Sequence, residues 1–226
     1  LLSLLQLSDS AFPSGRYTLS YGLEAFAQDE QLRGPSALLT LLGDCIRSSA
    51  GPSDGVALAC AHRALRTDAL DLELALRADE RLTAVKLVRE AREASTRTGR
   101  ALLATATIAF DSTALGDYAD RVAEGDSPGN HAVVLGLVSA LLGVPRLDAV
   151  AGELYAFAAG WASAAVRLGL LDHRGAQHVL HRVRPVSAQA ALRAADRDVE
   201  DISSSGPLPE VMSMRHEESR LRLFAT

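Results

Sequence analysis

Six histidines, two cysteines and a single lysine hold most of the reactive chemistry in this chain, and their spacing restricts it sharply. His178 and His181 stand three residues apart with His173 nearby, so a helix would turn the first two to one side. No carboxylate or cysteine falls in register with them, which leaves surface histidines as the plainer reading over a metal site. His216-Glu217 opens a zincin-like pattern, but the second histidine would fall where Arg220 stands. Cys45 and Cys60 lack the Cys-x-x-Cys or Cys/His spacing of a metal pair and lie inside helical patterns, as small core hydrophobes do. His62, amid Ala59, Cys60 and Ala61, reads as a helix residue, and His131, after Gly129-Asn130, as a turn or capping residue at a helix start.

Phosphate and acyl chemistry fare no better. A phosphate-binding P-loop needs Gly-Lys-Ser/Thr, and Lys86, the only lysine, follows Val85 in what reads as mid-helix. No two glycines are two apart, so a Gly-x-Gly-x-x-Gly dinucleotide turn is absent. Gly-x-Ser-x-Gly occurs around Ser53 and around Ser127. A nucleophile elbow needs a strand entering the turn, whereas both segments follow helical patterns and contain proline, so they read as interhelical turns. No resident cofactor is expected.

The elements that must position these residues are helical almost throughout. The 226 residues are 48% hydrophobic but only 4% aromatic, a core of Ala, Leu and Val suited to closely packed helices. Helices are expected over 1–8, around Leu19, Leu23 and Phe26 up to Gly34-Pro35, and from an N-cap at Ser36 along Leu38, Leu39, Leu42 and Ile46. The run 51–55 is read as a break before a helix over 56–65. Leu70, Leu72, Leu74 and Leu76 alternate like a strand, but Leu, Ala and Glu favour helix and no partner strand exists. Further helices are expected over 83–98, 100–110, 131–143, 147–168, 175–183 and 185–202, the last with Pro185 in its first position. The expectation is an all-α, single-domain bundle of about ten helices over 1–205, with a C-terminal interaction tail over 206–226.

A net charge of −5 argues against nonspecific nucleic-acid binding. The longest uncharged apolar run, 132–144, is too short for a bilayer and no secretory pattern is seen, so a cytoplasmic protein is expected. A chain opening at Leu1 is expected to have residues upstream. The tail sets Leu221, Leu223 and Phe224 beside Arg215, Arg220 and Arg222 after a Gly/Pro break, a mixture suited to ordering by contact.

Five blocks in order resemble the UreF family of urease accessory proteins. They are the run 4–15, LLQLSDSAFPSG, followed by Ser20-Tyr21-Gly22-Leu23-Glu24; Arg92-Glu93-Ala94-Ser95 with Gly99-Arg100; Gly129-Asn130-His131-Ala132 leading to Leu142-Gly143-Val144-Pro145; the run 163–169; and Ser213-Met214-Arg215-His216-Glu217 with Arg222-Leu223-Phe224. The chain departs from the family at Arg16, where a second glycine is usual, and at Arg220, where a tyrosine often stands. The resemblance implies an all-α scaffold without catalysis of its own, bridging UreD (UreH), which docks on apo-urease, to the UreG GTPase, which carries nickel. It also implies a homodimer.

Carried onto this chain, the resemblance makes Ser8, Asp9, Phe12, Pro13, Ser14 and Gly15 a recognition loop, though a turn tucked onto the bundle fits the same residues. Tyr17, Tyr21 and Glu24 share a helix face by spacing and are expected to adjoin the tail. Arg97 and Arg100 flank Gly99 at an expected helix junction, where partner contact and a favourable helix-dipole position are both open. In the tail, Arg215, His216, Glu217, Arg222, Leu223 and Phe224 are the contact residues, with the Arg222 guanidinium able to make several bonds at once. His131 is the residue to test for a transient nickel contact. Two other classes stay open: a helical enzyme with a histidine general base, and an unrelated ligand-binding bundle with an enclosed apolar cavity.

Overall fold

In this computed structural model the described residues are 1–8, 12, 23–28, 32, 34–66, 69–110 and 112–206. Their order is α1 (Leu2–Ser8), α2 (Leu23–Gln28), α3 (Gly34–Cys45), a π-helical stretch (Ile46–Gly55), α4 (Val56–Ala64), strands β1 (Leu65–Arg66) and β2 (Ala69–Leu70), then α5 (Leu72–Val85), α6 (Arg89–Phe110), α7 (Thr113–Glu124), α8 (His131–Leu141), α9 (Arg146–Arg167), α10 (His173–Ala194) and a 3-10 turn (Val199–Asp201). The fold is all-α, carried by the helices of nine residues or more, with α1 and α2 as short additions. The two strands form a single short antiparallel pair, Leu65 with Leu70 and Arg66 with Ala69.

Side-chain caps set several helix starts. Asp71 accepts the Leu74 N–H (3.0 Å), Ser112 that of Leu115 (3.4 Å) and Asp172 that of Gly175 (2.6 Å). Each satisfies a first-turn donor that has no partner within its own helix.

Four expectations about helix limits are corrected: Gly51, Gly55 and Gly99 mark close approaches to a neighbouring element, while Pro185 is an exposed residue inside a continuous helix. The 51–55 segment does not interrupt the chain; it widens into the π-helical stretch around Pro52. Pro52 lacks an N–H, and its ring crowds the carbonyl of Ser48 in an α register. That carbonyl accepts the Ser205 N–H instead, at 2.8 Å. Gly51 and Gly55 let α10 pack close, since a Cβ on either would meet Ala190 or Ala194 at 3.3 Å. The expected junction at 98–100 is likewise absent: α6 runs unbroken through Arg97, Gly99 and Arg100. Pro185 lies inside α10 rather than at a helix start, and α10 ends at Ala194 rather than 202. The Arg184 Nε reaches the His181 carbonyl, which Pro185 cannot serve (3.5 Å).

Two further differences concern placement. Lys86 is not mid-helix; it follows α5, and its ammonium pairs with Asp54 at 2.8 Å, tying the α5–α6 gap to the π-helical stretch. Residues 113–124, to which no helix was assigned from the sequence, form α7 with Gly125 closing it at φ 88°.

The core centres on α4, α8 and α9, with Trp161, Tyr118, Leu58, Leu137 and Leu154 among its largest fully buried side chains. α4 and α8 cross backbone to backbone: a Cβ on Gly136 would lie 2.4 Å from the Leu58 carbonyl oxygen. Among the described helices α9 alone is long and apolar enough to cross a membrane by length and composition; here it buries Leu154, Ala158, Trp161, Ala162 and Ala165 in the core.

Candidate partner-docking site

The block 127–131 and the middle of α6 form one built feature. Gly99 sits directly beneath the turn between α7 and α8, where a Cβ would lie 2.0 Å from the Gly129 carbonyl oxygen and 2.6 Å from the His131 nitrogen. Only glycine permits that approach. Gly129 itself holds φ 77°.

From the opposite side the turn is gripped by Asp79, which has no solvent exposure. Its carboxylate accepts from the Tyr118 hydroxyl (2.9 Å), the Ser127 hydroxyl, the Gly129 N–H (2.7 Å), and both the backbone N–H (2.9 Å) and side-chain amide (2.7 Å) of Asn130. The Asn130 amide also donates to Thr83 Oγ1 at 2.7 Å. Buried carboxylates persist when several donors replace water, and this one spans α5, α7 and the turn. Burial, and then the Asp79 charge, push the Tyr118 phenol well above its usual range, so it stays a donor.

This grip positions the functional candidates. Arg100 donates from Nε to the Pro128 carbonyl (3.1 Å), and Arg97 and Arg100 are both exposed on the same helix. His131 opens α8 as expected but is buried, its Nε2 lying 3.8 Å from Glu153 Oε2. One histidine and one carboxylate do not make a metal centre, and no group of three or more His, Cys, Asp or Glu able to hold a metal occurs among the described residues. His173, His178 and His181 are exposed on α10.

The serines carry no nucleophile geometry. Ser53 lies within the π-helical stretch, not in an interhelical turn, and donates to the Ser49 carbonyl (2.8 Å); Ser127 donates to Asp79. Neither has a histidine base among its partners in these bonds. Burial pushes the Cys45 thiol up to about 12 and the Cys60 thiol up to about 11, so both stay protonated and poor ligands.

Of the remaining candidates, Ser8 is exposed at the end of α1, Phe12 is half-buried against the core, and Glu24 is buried in α2. Asp9, Pro13, Ser14, Gly15, Tyr17, Tyr21, Arg215, His216, Glu217, Arg222, Leu223 and Phe224 lie outside the described residues.

The segment leading to the tail is strapped down firmly. Arg63 donates to the carbonyls of Ala195 (3.1 Å) and Arg197 and to the Asp198 carboxylate (3.2 Å). Arg81 reaches the Ile202 carbonyl (3.3 Å), Arg77 pairs with Glu200, and the Ser203 N–H bonds to the Pro52 carbonyl (3.1 Å). Gly206 is buried at the end of this strap. Sequence reading missed Asp79, Tyr118 and Arg63. The one available signal was the Ser-Pro-Gly-Asn turn itself, whose buried N–H groups require an acceptor from somewhere.

A family profile for UreF matches residues 32–184. The chain is 31% identical over 224 residues to the urease accessory protein UreF of Trichodesmium erythraeum, covering 99% of this chain and 96% of that protein. It is 32% identical to the urease accessory protein UreF 2 of Brucella canis, covering 99% of this chain and 91% of the relative. It is also 32% identical to the urease accessory protein UreF of Lachnoclostridium phytofermentans, covering 99% and 97%.

Proposed function

The chain belongs to the UreF family of urease accessory proteins, and from that premise we propose that it is a non-enzymatic scaffold that bridges UreD (UreH) to the UreG GTPase. Through UreD it reaches apo-urease, and GTP hydrolysis by UreG accompanies transfer of nickel, the cargo, into the urease active site. The scaffold acts as a homodimer in the cytoplasm. The observation that carries this reading is the near end-to-end correspondence with UreF proteins. Two features of the chain agree with it. Its sole lysine is engaged by Asp54, so a phosphate-gripping lysine must come from a partner. Its exposed arginines at 97 and 100 sit on a helix locked against a rigid turn, a preorganised surface that loses little entropy on binding.

The test is co-purification with UreD and UreG, combined with deletion of the gene in a urease-positive host. Urease made in normal amount but nickel-free and inactive is the expected result. Urease that is fully loaded without this protein, or turnover of a substrate by the isolated chain, would overturn the reading.

A further inference from the structure

α10 buries Ala176, Val179, Leu180, Val183, Ser187, Ala190, Ala191 and Ala194 against the core. Its other side carries Arg174, Arg182, Arg184 and Arg193, all exposed, and the helix holds neither Asp nor Glu over its 22 residues. In a protein with a net charge of −5 this is a segregated positive face, a strip of about 29 Å from Arg174 to Arg193 at a helix's rise.

Intramolecular chemistry accounts for Arg184, which bonds to the His181 carbonyl and ring, but not for Arg174, Arg182 and Arg193. The nearby acids are already engaged: Asp172 caps α10, Asp196 pairs with Arg146, Asp198 with Arg63, Glu200 with Arg77 and Asp201 with Arg197. None of the ion pairs among the described residues involves Arg174, Arg182, Arg184 or Arg193. The helix dipole favours Arg193, in the last turn, but not Arg174, which stands in the first turn where a cation is disfavoured. Leu192, 62% exposed, adds an apolar contact beside the arginines. At its far end Arg193, with Arg47 and Arg197, lines an open cleft of about 400 Å³, whose acidic members Glu200 and Asp201 are paired with Arg77 and Arg197.

We propose that the outward face of α10 docks a carboxylate-rich surface of a protein partner. The assignment rests on the scaffold reading for the identity of that partner as UreD or UreG. Charge complementarity selects the partner's chemistry. A membrane or nucleic acid, an extended anionic lattice, would also meet the net negative remainder of the molecule, whereas a discrete acidic patch would meet only the strip.

The experiment compares the full chain with R174E/R182E/R193E and with the neutral R174Q/R182Q/R193Q, whose folding is checked by circular dichroism and thermal melting. Each is titrated separately with purified UreD and UreG at low and high salt, and with RNA and phosphatidylserine vesicles. The expected result is a loss of about tenfold or more in affinity for one partner on charge reversal, carried mainly by the association rate, with a smaller loss for the neutral variant and a weaker salt dependence in both. Binding of both partners within about twofold of wild type would overturn the strip. So would a loss confined to RNA, to vesicles or to self-association. A wild-type chain that binds neither partner refutes the scaffold reading itself, a result distinct from a wild type that binds and a reversed variant that binds equally well.

Discussion

At the scale of the residue, a carboxylate accepting five hydrogen bonds out of reach of solvent is hard to replace. Asp79→Ala would strand the Gly129 and Asn130 N–H groups and leave the Tyr118 and Ser127 hydroxyls only each other, at 3.3 Å. Urea unfolding should show a loss of about 3–5 kcal/mol, the range for breaking a buried charged network. Gly99→Ala drives a methyl into backbone that cannot yield, and should remove about 2 kcal/mol or more. His62 gives a pH signature. Burial holds its imidazole below the ordinary 6.5, although its Nε2 donates to the Val144 carbonyl. The unfolded chain then takes up the proton first as pH falls, so this stability is intact above about pH 6.5 and is lost as pH drops toward the folded value. His62→Gln should flatten that limb of a stability–pH profile. The sequence offered His62 as a helix residue, and so it is, whereas His131, read as a turn or capping residue, is the buried first residue of α8 after Asn130. Asp79 was illegible, because its donors come from separate segments that only the folded chain brings together.

The elements teach a different lesson. Periodicity located the apolar face of nearly every long helix, and the Asp71 cap settles the strand-like Leu run as helix from Leu72 onward. What periodicity could not deliver was continuity. Gly51, Gly99 and Pro185 follow the local rules for breaks, yet helix runs through each: Gly51 and Gly99 sit against a neighbouring element, and at Pro185 the cost of about 1–3 kcal/mol is carried by burial of the rest of α10. Pro185 provides the check. It is exposed, and alanine there would restore an N–H for the His181 carbonyl, so Pro185→Ala should raise stability by about 1–3 kcal/mol and lift the melting temperature. Helix α7 was legible as well, since Leu115, Tyr118 and Val122 recur at helical spacing between the Ser112 cap and Gly125, though no helix was assigned there.

For the whole molecule, the family and the all-α architecture were readable in the sequence because five blocks fall in the right order along nearly all of it. Most of the recognition loop and the tail proper lie outside the described residues, and their roles are tied to partner binding. Removing residues from Met212 onward should abolish UreD capture in a pull-down while the melting transition stays in place, since the strap through Ser205 is retained. That strap has a mechanical consequence. A pull on whatever follows Gly206 would be borne as shear by the Ser205 and Ser203 bonds to Ser48 and Pro52 and by Arg63, so the load reaches α4 and the wide turn around Pro52 before it reaches the core.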